Sequence, residues 1–163
     1  MNRVELLPLD HDSLKYCDLL LQEYYEEPLH KTNTMHWFFE QLDAIRRHDQ
    51  TLIERLRQEI FIAVKADVAI GVCRIEKYPE YICNGNIGYY VTPSERRKGN
   101  SKIIISLIEE KCEEKGYANI YAVAGTHNEP SIRSLRSMNW VETGVIYQWN
   151  YGQFGREFQI PKK

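Results

Sequence analysis

No stretch of this sequence stays apolar over the roughly 20 residues that a membrane-spanning helix requires. Its start, "MNRVELLPLDHD", has neither a long apolar segment nor an Arg/Ser-rich leader, so no export or organelle signal is read and a cytoplasmic protein is expected. Cysteine is sparse. Cys17, Cys73, Cys83 and Cys112 are widely spaced, form no CxxC pair and sit in apolar segments, which suits reduced thiols better than disulfides or a zinc site. A basic excess is also missing: 21 Lys and Arg stand against 23 Asp and Glu, a net charge of −2, which excludes a general nucleic-acid coat. Any polyanion must therefore be met locally. There is no internal repeat, low-complexity tract or linker, so residues 1–163 read as one domain with enough chain to bury a core. Two phosphate-binding fingerprints are absent as well, GxxxxGK[ST] and GxGxxG.

What is present is a change of period along the chain. "RVELLPL" reads as a short strand, after which Asp12 or Ser13 can cap a helix carrying Leu14, Cys17, Leu21 and Tyr24, with its end near Pro28. A second helical region begins near Thr34, with Met35, Phe38, Leu42 and Ile45 on one face, and resumes or continues through Leu52, Ile53 and Leu56. From Glu59 the pattern alternates: "EIFIAVKAD", "VAIGVCRIEKY" and, after a turn-rich "PEYICNG", "NIGYYV" predict an antiparallel meander. "SKIIISLIEEKCEEKG" returns to helical spacing, with Ile104, Ile108 and Cys112 on one face, the four glutamates largely outside it and Gly116 as a C-terminal cap. "ANIYAVAG" follows as a strand that reads as buried on both faces, so strand, helix and strand imply a parallel pair. "NEPSIRSLRSMN" is a further helix with Pro130 in its first turn, and "WVETGVIYQWNY" and "GREFQIP" close the chain as a hairpin around Gly152 to Gly155. The fold class is α+β with a mixed sheet.

"VTPSERRKGNSKIII", Val91 to Ile105, places three consecutive cations between a strand end and a helix start near Asn100. The first N–H groups of a helix lack backbone partners and carry the positive end of its dipole, so such a junction suits an anion. Gly99 allows close backbone approach, and Arg96, Arg97 and Lys98 add charge that matches phosphate oxygens. A solvated charged loop is the plainer alternative.

Within this region Val91, Pro93, Arg96, Gly99 and Ser101 fall in order, and Asn128, Ser131, Leu135, Asn139 and Trp140 follow downstream. The two sets resemble the GNAT superfamily of acyl-CoA-dependent N-acetyltransferases, which read V-x-P-x-x-[QR]-x-x-G-x-[GA] and, in one variant, N-x-x-S-x-x-x-L-x-x-x-G-[FW]. The likeness spans Asn86 to Gly144. It implies a mostly antiparallel sheet with a splayed parallel strand pair, flanked by helices, and acetyl-CoA as the acetyl-donating cosubstrate with no metal. It also implies that Tyr89, Tyr90 and Val91 offer backbone hydrogen bonds to pantetheine. The backbone from Arg97 through Lys98, Gly99, Asn100 and Ser101 to Lys102, with Arg96 beside it, would hold the pyrophosphate, and Asn128 would contact the cofactor's amide chain. The tyrosine that often protonates the thiolate is replaced by Leu135; the resemblance to the N-x-x-S variant points instead to Ser131 acting near the sulfur, against a local role in its helix's first turn, with Tyr117, Tyr121 and Tyr147 as further phenols that spacing does not single out. No base is evident: Asn84 and Asn86 stand where an acid could be, and Glu76 is the alternative.

The expected reaction moves an acetyl group to a primary amine of a small molecule or peptide. A second reading is an acyl-CoA-binding sensor with little catalysis; a third, a nucleic-acid module using the basic loop, is disfavoured by the acidic balance. His36 and Glu40 share an i, i+4 spacing but suggest no further ligand, so no metal is expected. Trp37, Phe38 and Phe39 read as core or lid. "QEYYEEP" could form an acidic-aromatic rim for a cationic acceptor or a solvated helix end, and a homodimer through the C-terminal strands is compatible with the pattern.

Overall fold

The computed structural model describes residues 3–27, 35–78, 81–117, 119–148 and 154–161. Among these the chain runs β1 (Val4–Pro8), α1 (Cys17–Glu26), α2 (His36–Arg46), α3 (Gln50–Leu56), β2 (Gln58–Lys65), β3 (Val68–Tyr78) and β4 (Tyr81–Val91). It continues as α4 (Asn100–Glu114), β5 (Asn119–Gly125), α5 (Glu129–Ser137), β6 (Val141–Gln148) and β7 (Phe154–Gln159). The strands hydrogen-bond in the order β1-β2-β3-β4-β5-β7-β6, with β4 and β5 parallel and β1–β2, β5–β7 and β6–β7 antiparallel. The mixed α+β sheet expected from the sequence is present. No helix among the described residues is long and apolar enough to cross a membrane. Two compact units divide the chain, Met1–Arg74 with Tyr89–Asn100, and Ile75–Gly88 with Ser101–Lys163.

In the first unit the helices form because their apolar residues recur at helical spacing. Met35, Phe38, Leu42 and Ile45 are all buried and pack with Cys17, Leu20 and Tyr24 of α1 against Ile60, Ile62, Val72 and Tyr90. One expectation shifts and one open alternative is decided. A single 3-10 turn at Leu14–Tyr16 precedes α1, and Ser13 does not cap it; the Ser13 hydroxyl donates to the Pro8 carbonyl at 2.7 Å instead. The second helical region is two helices, broken where His48 takes φ +54 and Asp49 restarts the chain by accepting the Leu52 N–H at 3.1 Å. Thr34 lies outside the described residues, as does Pro28, but Glu27 before it is extended at φ −73, ψ 119, as a residue preceding proline should be. The break at "KAD" is a two-residue hairpin turn in which Ala66 and Asp67 both have positive φ.

In the second unit β4 starts earlier than the sequence reading placed it: residues 81–85 are strand, not turn. Gly85 is needed there for room, since a Cβ would lie 2.4 Å from the Glu76 carbonyl oxygen. Helix α4 buries Ile104, Ile105, Ile108 and Cys112, and Gly116 at φ +73 ends it. The Tyr117 N–H reaches the Cys112 carbonyl at 3.0 Å and the Gly116 N–H the Glu113 carbonyl at 3.1 Å, a Schellman cap. β5 alternates: Ile120, Ala122 and Ala124 are buried while their neighbours are half-buried, so it is not enclosed on both faces. Glu109, expected among the exposed acids, accepts the Trp140 indole N–H at 2.7 Å. Gly155 belongs to β7, paired with Gly125 and Tyr147, while residues 149–153 lie outside the described residues.

Candidate active site

In the first unit, β4 delivers Tyr89, Tyr90 and Val91 and is followed by a 3-10 turn at Pro93–Glu95 and the basic residues. Each step of that connection is tied down. Thr92, fully buried, donates its N–H to the Ile70 carbonyl at 2.9 Å and its hydroxyl to the same oxygen at 3.2 Å. Glu95 closes the turn, its N–H reaching the Thr92 carbonyl at 2.9 Å, and the Asn100 side-chain amide returns to the Glu95 carbonyl at 2.9 Å. Arg97 at φ +63 and Gly99 at φ +78 bend the backbone into the start of α4. Among the described residues none accepts a hydrogen bond from the N–H of Arg97, Lys98 or Gly99, and a Cβ at Gly99 would meet nothing within 4 Å. Exposed, unpartnered donors at a helix start are what an anion needs.

The three cations differ. Arg97 and Lys98 are exposed, Lys98 with its ammonium 3.6 Å from Glu95. Arg96 is turned inward. Its terminal nitrogens grip the Glu27 carboxylate, Nη1 to Oε1 and Nη2 to Oε2 at 3.2 Å, and its Nε donates to the Val91 carbonyl at 3.0 Å. Tyr90 donates its hydroxyl to Glu27 at 2.8 Å, and burial together with this carboxylate holds the phenol pKa well above the usual tyrosine value. The acidic-aromatic stretch is largely committed to the protein. Glu23 accepts the Ser94 N–H at 3.0 Å, Tyr24 is buried with edge contacts to Phe39 and Tyr90, and exposed Tyr25 stacks on Phe39 at 6.1 Å.

The second unit holds the parallel pair and the remaining candidates. Pairing runs over four residues, from Asn84 with Asn119 to Ile87 with Ala122, while on its other edge β5 pairs with β7 from Tyr121 to Gly125. Asn86, on the paired stretch, has a buried side-chain oxygen with no partner among the described residues. Asn128 caps α5: its side-chain oxygen accepts the Ser131 N–H at 3.3 Å. Ser101 and Lys102 open α4, and the Ser101 hydroxyl lies 2.9 Å from that of Ser134 on α5. Leu135, at the usual tyrosine position, is core. Asn139, at the usual glycine position, has φ +65, a left-handed conformation that asparagine tolerates best after glycine.

Residues 16–140 match the acetyltransferase (GNAT) family. The chain belongs to that family. Its members are acyltransferases, and this GNAT chain is therefore an N-acetyltransferase by family. Among solved structures it is similar to an N-acetyltransferase from Staphylococcus aureus Mu50, at 17% identity, 99% of each chain and a TM-score of 0.71. It is similar to a spermidine N-acetyltransferase from Vibrio cholerae, at 15% identity, 96% of this chain, 92% of that one and a TM-score of 0.76. A third likeness is to a ribosomal L7/L12 α-N-protein acetyltransferase in complex with coenzyme A, at 15% identity, 96% and 92% coverage and a TM-score of 0.74. At these identities the structures share the fold. No curated protein matches the sequence.

Two features escaped the sequence reading. The inward ion pair of Arg96 joins residues far apart in the chain, and the Asn128 cap was read only as a cofactor contact. A signal for the first exists: "QEYYEE" puts acids in the last turn of a helix, the end where the dipole disfavours them, so a cation from elsewhere is called for.

Proposed function

We propose that residues 1–163 work as one acyl-CoA N-acyltransferase domain that moves the acetyl group of acetyl-CoA to a primary amine. The observation that carries this is the set of unpartnered N–H groups at Arg97, Lys98 and Gly99, held open at the start of α4. With the N–H groups of Asn100, Ser101 and Lys102 they would hold the pyrophosphate, helped by Arg97 and Lys98 through their charge. The β4 backbone beyond Ile87, where the four-residue pairing stops, would carry pantetheine through Tyr89 and Tyr90. Val91 has one lone pair of its carbonyl engaged by Arg96 and would offer its remaining backbone groups beside them. Asn128, whose side-chain oxygen caps the helix, would offer its side-chain N–H₂ to the cofactor.

In the reaction the amine lone pair attacks the thioester carbonyl, the C–N bond forms, the C–S bond breaks and CoA leaves as a thiolate. An alkylammonium with a pKa near about 10 must first lose a proton, and strand N–H groups stabilise the oxyanion. Ser131 is proposed to act near the sulfur, in the first turn of α5. No side chain is assigned as base; Glu76 or ordered water could accept the proton. Amine acceptors are supported by the neighbouring folds, one a spermidine N-acetyltransferase and one a ribosomal L7/L12 α-N-protein acetyltransferase. The expected partner is a small-molecule or peptide amine, and a homodimer would use β6, whose Val141, Val145, Ile146 and Tyr147 are exposed. A cytoplasmic setting suits the buried free thiol of Cys17.

Incubation with acetyl-CoA and a panel of amines, followed by free thiol, tests the assignment. Amine-dependent thiol release supports it; CoA binding with no release from any amine would leave a sensor instead.

A further inference from the structure

Helix α1 ends against its own dipole. Its last turn carries Glu23 and Glu26, with Glu27 next, and no cation, where free carbonyls disfavour acids. Two of these carboxylates reach out of the helix to one loop. Glu23 Oε1 accepts the Ser94 N–H at 3.0 Å, and Glu27, one turn on, receives Arg96 through both terminal nitrogens and Tyr90 through its hydroxyl at 2.8 Å. The Glu27 side chain is only 9% exposed, so this charge is withdrawn from water and depends on its donors. Arg96 closes the loop from within: its Nε holds the Val91 carbonyl at 3.0 Å and its guanidinium carbon lies 5.3 Å from the centre of the Tyr90 ring. The residue that follows is Arg97, where the backbone turns left-handed and the unpartnered N–H groups begin.

We infer that Glu27, supported by Glu23, is a positioning residue for the anion cradle, and that Arg96 serves as its internal counter-charge rather than as a phosphate ligand. Building on the acetyl-CoA assignment above, the carboxylates of Glu23 in α1 and Glu27 just beyond it fix the segment from Thr92 to Arg96, and that segment sets the direction in which the N–H groups of Arg97 to Gly99 point. An anion site made of backbone donors gains affinity only while those donors are held in place, because ordering them on binding costs conformational entropy. Three of the five guanidinium N–H bonds of Arg96 serve this grip. The alternative, Arg96 as a direct phosphate contact, makes the opposite prediction for one substitution. Glu27→Gln removes the charge that holds Arg96 and keeps the side chain's shape. A phosphate-binding Arg96 would then be released toward the ligand and tighten binding, whereas loss of positioning weakens it.

The test is calorimetric titration of CoA and acetyl-CoA into wild type, Glu27→Gln, Arg96→Lys and the double variant Glu27→Gln/Arg96→Met, well below each melting point. Arg96→Lys keeps the charge but loses the two-point grip on a carboxylate. The expected result is a Kd raised about tenfold in each single variant, below the roughly thirtyfold or more that breaking such a pair in direct contact with a ligand costs, because here the loss reaches the ligand through the loop. The double variant should be no worse than the singles, because all act through one contact. With an acceptor, KM for acetyl-CoA should rise more than kcat falls, a split that mere loss of stability would not produce. Glu27→Gln binding CoA as tightly as wild type, or more tightly, overturns the inference. If Glu27→Gln does not fold, Glu27→Asp, which keeps the charge but shortens the reach to Arg96, takes its place: a Kd equal to wild type or lower overturns the inference, a raised one upholds it. A wild type that binds no CoA species overturns the acetyl-CoA assignment and this inference together, whereas a binding wild type with unaffected variants overturns this inference only.

Discussion

At the scale of single residues, chemistry was more legible than partnership. Gly99 and Gly116 announced left-handed backbone because no other residue adopts it so cheaply, and both have positive φ. Asn139 could be read the same way, since it stands where the family pattern has glycine and its φ of +65 is the reason that only a few side chains could replace it. Arg96 could not, because a cation beside two others says nothing about a carboxylate 69 residues away. Tyr90 shares that limit, and its partner gives it a measurable property. Burial first and then the Glu27 hydrogen bond raise its phenol pKa above the ordinary value. A group whose folded pKa is raised contributes stability that is fully present below its unfolded pKa, near about 10 for tyrosine. That contribution is lost as pH rises past this value. Urea midpoints should therefore fall between pH 9 and higher pH in wild type, and Tyr90→Phe should flatten that alkaline limb while lowering stability at neutral pH. An alkaline limb that is unchanged in Tyr90→Phe would show that another group causes it.

At the scale of elements, boundaries followed local rules where those rules were strong. The hairpin of β2 and β3, the buried face of α2 and the cap of α4 were all visible as spacing and punctuation. The start of β4 was not, because "PEYICNG" carries turn-forming residues at both ends. Gly85 sits there for lack of space beside the Glu76 carbonyl, a contact with no local signature. Whether α2 and α3 are one helix or two stayed open for the converse reason: apolar spacing continues through the junction, while one left-handed residue at His48 interrupts the helix. Helix α4 lends itself to a clean test of the local rule. Gly116 has φ +73 and open space around its Cβ direction, so Gly116→Ala changes conformation without creating a clash. It should cost about 1 kcal/mol in chemical denaturation, the penalty of a left-handed L-residue. A cost near zero would mean that the Schellman turn had been replaced by another ending.

At the scale of the whole molecule, element order and the parallel pair could be inferred, while the insertion of β7 between β5 and β6 could not. Handedness and short connections constrain a strand-helix-strand unit, but nothing local tells a final strand which edge to choose. The cofactor assignment is likewise a statement about the whole protein, because a ligand that binds only the folded state raises its stability by mass action. At a hundredfold excess over Kd this amounts to about 2.7 kcal/mol, or roughly 5–10 °C in melting temperature for a chain of this size. CoA and acetyl-CoA should produce such a shift, and added salt should reduce it because exposed Arg97 and Lys98 contribute through screened charge. Two substitutions at Gly99 separate backbone strain from blocking of the cradle. Gly99→Ala and Gly99→Glu both place an L-residue at φ +78, and neither Cβ meets a neighbour within 4 Å, so their cost to the unliganded fold should be similar. Only the glutamate adds bulk and a like charge beside the proposed pyrophosphate site. The alanine variant should keep a reduced CoA-dependent shift and the glutamate variant none. Equal shifts in the two variants would place the pyrophosphate elsewhere.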